Sequence, residues 1–203
     1  MSEANNKSNF VAAHEQILHF PKGQKPSLAS NEWLIWGGNL NKNEDEGANS
    51  KLPDLEYGKK NVLVPFAWWI EHHQEEDVKN KTKSGHIGVW FAADDDILKH
   101  GSIVEEGKKV WPLVAAHFPL FRDGRSFSTA ALLRDRFAWT GEIRAVGEVL
   151  IDQLLQGARV GFDSFALRPD QNLDVALKQF DLFSVTTQNS WRDKRSTLAA
   201  INN

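Results

Sequence analysis

The sequence predicts an α/β fold in which βα units repeat along the chain and build a mainly parallel sheet of about five strands. Two observations support this prediction. Short runs of β-branched and apolar residues alternate with longer segments of helical periodicity. Successive strands lie roughly 20 to 30 residues apart, the spacing of right-handed βαβ crossovers. Five strands are fewer than the eight of a closed (β/α)₈ barrel, so an open layer and a partial (β/α) barrel both fit the pattern.

The first two units are strand-then-helix pairs. The run NVLVP predicts a strand at 61–64, and Pro65 fits the corner into a helix that begins near Phe66. The segment GHIGVWFA, residues 85–92, has the continuous apolar character of a buried strand. The acidic residues behind it predict a helix with Asp94 as its N-cap.

The later units repeat this order and define the domain organisation. The segments VWPLVAAHFPLF, GEIRAVG and FDSFAL predict strands, each followed by a helical segment, so residues 61–183 form the predicted α/β domain. Residues 1–60 are predicted to be a flexible N-terminal region with one short strand in NEWLIWG. In that region 1–9 and 37–60 are rich in Gly, Asn, Lys and acidic residues. Residues 184–203 are predicted to be a polar C-terminal tail.

The composition restricts the classes of function. The chain has 203 residues, a formal net charge of -3 and no cysteine. This charge supplies no basic stripe for phosphates, so nucleic acid is not an expected partner. The absence of cysteine excludes disulfides, thiolate nucleophiles and Cys-ligated metal centres. No apolar run approaches the roughly 20 residues of a membrane-spanning helix, and the polar N-terminus has no signal-peptide core, so we expect a cytoplasmic protein without a membrane partner.

The motifs predict no cofactor and no metal. No GxGxxG follows a strand and no GxxxxGK[ST] occurs, so no nucleotide-binding loop is readable. His72 and His73 are adjacent and would point about 100° apart on a helix. No pair of histidines has HExxH spacing. The acidic run at 93–96 is explained by the dipole of the predicted helix.

Ligands of parallel α/β folds bind beyond the carboxyl ends of the strands, which directs attention to residues 117–125, 147–152 and 167–170. The first of these segments leads into a helix that carries several arginines. At 100° per residue, Arg134 falls on the apolar face of that helix and Arg136 on the solvent face. Arg134 therefore either pairs with a buried acid or contacts a ligand.

Arg125 follows a tight turn formed by Asp123 and Gly124, at the start of the same helix. The free N–H groups of a helix N-terminus favour an anion, so Arg125 and this terminus together predict an oxyanion site supported by the two turn residues. The alternative is that Asp123 caps the turn and binds Arg125, which leaves no site.

A second charged group lies in RAVGEVLIDQ. Arg144 is in the predicted strand, Glu148 follows its end, and Asp152 lies one helical turn further along the same face. Glu148 and Asp152 are therefore candidate acid–base groups beside an arginine. The alternative is that Arg144 bridges to Glu148 or Asp123 and locks two strand ends together.

Five segments in a fixed order resemble a known bacterial family, the domain of unknown function family 934. They are NVLVPFAWW, GVWF, HFPLFRDGRSFSTAALLRDRF, GEIRAVGEVLIDQLL and GFDSFAL. The likeness covers about residues 61–183, and the block FP-x-F-x-DGR-x-xS…LLR with G-E-x-RAVGEVL-x-DQ is its most specific part. Family members commonly carry a cysteine shortly before GFD, where this chain has Val160, so a redox role for that cysteine does not apply here.

The resemblance implies a small cytosolic protein that is encoded beside sulfite reductase and loosely described as an oxidoreductase of sulfite reduction. On that basis we expect an accessory protein of assimilatory sulfite reduction that binds the reductase or its electron donor, or holds a sulfur oxyanion on Arg125, Arg134 or Arg144. A second expectation is an enzyme of unknown reaction, with Glu148 or Asp152 acting on an anionic substrate. A third is a structural or regulatory module whose charges serve only the fold. Whether the protein is an enzyme, and its oligomeric state, stay open.

Overall fold

The computed structural model describes residues 14–37, 52, 61–183 and 188–192. The described residues form eight strands: β1 (Gln16–His19), β2 (Ser27–Ser30), β3 (Trp33–Ile35), β4 (Asn61–Pro65), β5 (Ile87–Phe91), β6 (Leu113–Phe118), β7 (Glu142–Gly147) and β8 (Ser164–Phe165). Their α-helices are α1 (Phe66–His72), α2 (Glu76–Lys83), α3 (Gly101–Gly107), α4 (Arg125–Asp135), α5 (Leu154–Val160) and α6 (Leu173–Leu177). Short 3₁₀ turns occupy Ile151–Gln153 and Lys178–Asp181.

The strands build one sheet in the order β2-β1-β8-β7-β6-β5-β4-β3. Strands β3 to β8 are parallel, whereas β1 runs antiparallel to both β2 and β8. The α/β class and the mainly parallel sheet are therefore confirmed. The predicted number of about five strands is wrong, because β1, β2 and β3 extend the sheet at its two edges.

The sheet curls into a half barrel because its two edge strands are neighbours in the sequence. Only Asn31 and Glu32 separate β2 from β3, so the facing ends of these strands lie at most about 11 Å apart. The Asn31 N–H donates to the Glu15 carbonyl (2.8 Å) at one edge. The Asn61 N–H donates to the Glu32 carbonyl (2.9 Å) at the other edge. This turn therefore ties the two edges together at the amino end of the parallel strands.

The central strands are buried on both faces, as their continuous apolar sequences predict. The helices cover the outer face, where the larger core is centred on residues such as Val64, Phe91, Phe118 and Phe165. The inner face of the half barrel holds a smaller cluster that includes Leu63, Trp90, Leu113, Ala115 and Val146.

The N-terminal region contributes more structure than its sequence predicts. Only β3 lies within the predicted strand of NEWLIWG, and both β1 and β2 were missed. Their segments QILH and SLAS are four residues long, and each has an exposed or half-exposed residue at both ends, so neither carries a clear apolar pattern. The predicted flexible stretch 1–9 and most of 37–60 lie outside the described residues.

One predicted helix start is confirmed and another is wrong. The strand at Asn61–Pro65 and the helix from Phe66 are confirmed. No helix follows Asp94, because the Asp95 carboxylate accepts the Ala92 N–H (2.6 Å) and closes a turn, and the next helix begins at Gly101. Within the described part of the chain, no helix has the length and apolar character needed to cross a membrane.

Candidate functional site

One end of the half barrel gathers the charged residues that follow the strands. We use the term mouth for the carboxyl ends of β5 to β8 together with the loops 92–100, 119–124, 148–150 and 166–171. Parallel α/β sheets and barrels place their ligand sites at this end. The sequence candidates divide between the mouth and the opposite, amino end.

Arg125 and Asp123 lie at the mouth and bind each other. The Arg125 guanidinium donates to both carboxylate oxygens of Asp123, through Nε at 3.0 Å and Nη2 at 2.7 Å. The Arg125 N–H also donates to Asp123 (3.1 Å), so the aspartate caps the turn while Gly124 precedes α4. Hydrogen bonds from Arg125 hold the pKa of Asp123 below its ordinary value. The geometry agrees with the alternative prediction, in which Asp123 caps the turn and binds Arg125.

Arg134 lies at the amino end, far from the mouth, because α4 runs back along the sheet. Its guanidinium is buried and pairs with Asp163. It also donates to the carbonyls of Gly161 (2.8 and 3.0 Å), Trp139 (2.7 Å) and Gly141 (2.8 Å), which precede β8 and β7. Its N–H groups are therefore bound to acceptors within the fold, and the side chain links α4 to the segments that precede β7 and β8.

The C-terminal segment completes the surroundings of this ion pair. The ring of Trp191 stacks on the Arg134 guanidinium, with 4.0 Å between the ring centroid and Cζ. The Trp191 N–H donates to the Arg159 carbonyl (2.9 Å). Burial raises the pKa of Asp163 and lowers the pKa of Arg134, so each charge is costly to bury and depends on the other. At least this part of the predicted tail packs against the fold.

Arg144 also lies away from the mouth, on the inner face near the amino end of β7. Its guanidinium donates to Glu142 (2.8 and 3.1 Å), Ser164 (3.1 Å) and Asn31 (3.2 Å). The predicted bridge from Arg144 to Glu148 or Asp123 is therefore wrong. Glu148 lies four residues further along the chain, or about 13 Å at the rise of a strand.

The Glu142–Arg144 pair stabilises the closure of the half barrel. Burial opposes ionisation of Glu142, but the Arg144 guanidinium and the Ser164 hydroxyl hold the pKa of this carboxyl below its ordinary value. Because Arg144 reaches Asn31 in the turn between β2 and β3, the pair connects a central strand to the point where the two sheet edges meet. This arrangement is structural.

Glu148 lies at the mouth, and its partner is an arginine that the sequence did not single out. Arg168 donates to Glu148 (2.8 Å) and to both oxygens of Asp170 (2.7 Å each). These hydrogen bonds lower the pKa of Asp170 to about 2. Asp152 is exposed on the 3₁₀ turn and makes no hydrogen bond or ion pair with the described residues. Glu148 and Asp152 therefore do not act as one pair on a helical face.

His117 is the residue at the mouth that sequence reasoning missed as a site residue. It is the penultimate residue of β6, points to the inner face beside Trp90 (5.5 Å between ring centroids) and is only 5% exposed. Its ring makes no hydrogen bond with the described residues, yet its nitrogens are not sealed from solvent. The signal available in the sequence was its position within the first inspected segment, at the end of a strand.

The surroundings keep the His117 imidazole neutral and hold it in place. Burial lowers the pKa of His117 to about 4, although the nearby carboxylates of Glu148 and Asp123 act in the opposite direction. Gly147 has a φ of +93°, and a Cβ at this position would lie 2.7 Å from the His117 ring and 2.5 Å from the Phe118 carbonyl oxygen. A glycine is therefore required where the histidine packs against β7.

Exposed apolar side chains surround the mouth on two loops. Leu98 (53% exposed) lies on the loop after β5, and Leu120 (52%) and Phe121 (47%) lie on the loop after β6. The second of these loops is held by a hydrogen bond from the Gln153 side chain to the Phe121 carbonyl (2.9 Å). We use the term rim loops for residues 92–100 and 119–124.

A separate cavity of about 410 Å³ lies in the helical layer, between α2 and α3. Trp69, Ile103 and Val110 form its apolar part, and Lys79 and Lys83 are among its charged residues. None of the sequence candidates lines it. No group of three or more His, Asp or Glu side chains in the described ranges is arranged to hold a metal ion.

Comparison with known proteins gives one match. The model of a bacterial family of proteins of unknown function, DUF934, matches residues 88–198. This range starts at Gly88 in β5 and includes the mouth from β5 onwards as well as the C-terminal segment that stacks on Arg134. It begins and ends later in the chain than the resemblance at 61–183. No curated protein and no solved structure matches the chain.

Proposed function

The chain belongs to the bacterial DUF934 family, and on that premise we propose that it is an accessory protein of assimilatory sulfite reduction that binds sulfite reductase through its mouth. The connection with sulfite reduction comes from the family resemblance. The geometry of the described residues bears on how such a protein would work, and it favours the docking of a protein over the capture of a sulfur oxyanion.

Capture of an oxyanion has little support from the three candidate arginines. Arg134 and Arg144 are buried, and both are paired with acids away from the mouth. Arg125 is at the mouth, but its Nε and Nη2 donate to the Asp123 carboxylate, which neutralises the charge of the guanidinium. The Asp123 carboxylate is held by its own chain at no translational cost, and its charge would repel an incoming sulfite from this guanidinium.

The observation that carries the docking proposal is the pair of exposed apolar side chains on one rim loop, Leu120 and Phe121. Exposed aromatic and aliphatic residues that lie together are typical of protein interfaces. The loop is fixed by Gln153 and by the Asp123 turn, so little conformational freedom remains to be lost on binding. A rigid apolar projection beside charged groups fits a protein partner.

The test is the affinity of the purified chain for purified sulfite reductase, measured by calorimetry. The variant Leu120→Ser with Phe121→Ser should bind at least about tenfold more weakly, as expected for residues at the centre of an interface. Val110→Ser is the matched control, because Val110 is also exposed (38%) but precedes β6 at the opposite end of the strand. Equal affinities of the wild type and the double variant would rule out docking through this loop.

An enzyme remains a second candidate, favoured by the neutral imidazole of His117 near the Glu148 carboxylate. In that case Glu148→Gln should abolish rescue of a deletion strain on sulfate as sole sulfur source, while the protein still binds the reductase. Asp152→Asn, which removes a carboxylate without a described partner, should rescue growth fully. Full rescue by Glu148→Gln would exclude an acid–base role for this carboxylate.

A further inference from the structure

His117 has the properties of a ligand-contact group rather than of a packing residue. Its side chain is 95% removed from solvent but has no hydrogen-bond partner among the described residues. A neutral imidazole always retains one acceptor nitrogen, and because the ring nitrogens of His117 reach solvent, this acceptor is available to a ligand that displaces water. A phenyl ring or a leucine would fill the same space beside Trp90 but would offer no acceptor.

The charges around this histidine are unbalanced toward the negative. The loops of the mouth and Arg125 together carry six carboxylates and four Lys or Arg side chains, so two negative charges remain; the acids are Asp94, Asp95, Asp96, Asp123, Glu148 and Asp170, and the bases are Lys99, Arg122, Arg125 and Arg168. The guanidiniums of Arg125 and Arg168 are each engaged by a nearby carboxylate, and the carboxylates of Glu148 and Asp123 act directly on the imidazole. An anion would be repelled by this arrangement, whereas a cation with N–H donors would be attracted.

From these observations we infer that the mouth binds a primary ammonium group, which donates a hydrogen bond to the acceptor nitrogen of His117 and is attracted by the carboxylates of Asp123 and Glu148. The chemistry is that of an alkylamine or of a lysine side chain. If the group is a lysine of a docked protein, the inference rests on the proposed function. A free amine would bind without it.

The test is an NMR titration of the chain with its histidines isotopically labelled, in which His117→Gln assigns the signal. The probe is n-butylammonium chloride, which reproduces a lysine side chain, and butanesulfonate is the matched probe of opposite charge. We expect n-butylammonium to shift the His117 signal saturably, while butanesulfonate, sulfite and sodium chloride leave it unchanged. A shift by butanesulfonate or sulfite, or no shift by n-butylammonium, would overturn the inference.

Variants that remove one charge but keep the size of the side chain test the same site. Glu148→Gln and Asp123→Asn should each weaken n-butylammonium binding about fivefold, the effect expected for a partly exposed charge pair. Asp152→Asn is the control, since its carboxylate is exposed and lies outside the His117 surroundings, and it should bind like the wild type. If all three variants weaken n-butylammonium binding equally, the attraction is nonspecific electrostatics, which would contradict a specific site at His117.

Competition distinguishes the two sources of the ammonium group. If n-butylammonium displaces purified sulfite reductase, the group belongs to a lysine of that partner. If it binds but does not displace the reductase, the ligand is a free amine. Docking is tested separately by Leu120→Ser with Phe121→Ser. Docking of the reductase without amine binding would reject this inference alone, and amine binding without docking would reject the proposed function alone.

Discussion

Replacement of Arg134 by alanine tests whether this arginine stabilises the fold or binds a ligand. The side chain donates five hydrogen bonds, two of them to the Gly161 carbonyl and one to the buried carboxylate of Asp163. Arg134→Ala would leave Asp163 buried beside a gap that is lined by carbonyl oxygens. Among the described residues, the Ile143 N–H (3.1 Å) and the more distant Arg192 guanidinium (3.9 Å) would remain to offset its charge.

The expected loss of stability is large. Removal of one partner from a buried ion pair typically costs about 3 to 5 kcal/mol, because the other charge remains desolvated. The carbonyls that lose their donors add to this cost. A chain of this size has a total stability of roughly 5 to 15 kcal/mol, so Arg134→Ala should remove a large fraction of it. Arg134→Lys keeps the charge but not the planar fork and should cost less.

Urea unfolding followed by tryptophan fluorescence and circular dichroism would measure the loss. Arg136→Ala is the control, because Arg136 is exposed two residues further on, and its effect should stay within about 0.5 kcal/mol. The double variant Arg134→Met with Asp163→Asn should lose less than Arg134→Ala, since it leaves no unpaired charge. A loss below about 1 kcal/mol for Arg134→Ala, together with weaker sulfite binding, would refute the structural role.

Three further predictions concern the mouth. Burial lowers the pKa of His117 to about 4, so below pH 6.5 the unfolded chain takes up the proton first and the free energy of unfolding decreases as the pH decreases. His117→Gln should remove at most about 3 kcal/mol of this loss between pH 7 and pH 4. Burial raises the pKa of Asp95 from 3.8 to about 6, so the folded chain takes up that proton first and gains stability as the pH falls, a smaller gain that Asp95→Asn should abolish. Urea midpoints at pH 7 and pH 4 for each variant and the wild type would check both signs, and the same change in midpoint for all three proteins would contradict them. Gly147→Ala should cost about 1 to 3 kcal/mol and displace the His117 NMR signal, because its φ of +93° and the nearby ring leave no room for a Cβ; an unchanged signal would mean that the ring does not pack against Gly147.

Local patterns were sufficient to predict most of the parallel sheet. Strands such as Asn61–Pro65 and Ile87–Phe91 have continuous apolar sequences, and the turn at Asp123 and Gly124 marks the start of α4. The helical period also put Arg134 on the buried face. Each of these features depends on residues close together in the chain, and for that reason the α/β class was readable.

The remaining strands and ion pairs depend on residues far apart in the sequence, and local patterns could not predict them. The strand Gln16–His19 has too few apolar residues to be recognised alone, and it is held in the sheet by pairing with β2 on one side and with the distant β8 on the other. Asp163, the acid that pairs with Arg134, lies 29 residues away in the sequence, and nothing local selects it among the other acids. The same holds for Arg168, which binds Glu148 across 20 residues.

The sequence by itself determined the class of fold, the buried or exposed side of the helical arginines and the ends of strands at which to look for a site, because these depend on composition and local period. The tertiary structure decided which acid each arginine binds and that the two-residue link between β2 and β3 curls the sheet into a half barrel. It also decided that the His117 ring at the mouth has no hydrogen-bond partner among the described residues. Partner choice and sheet closure depend on distances between residues far apart in the chain, and only the folded arrangement sets those distances.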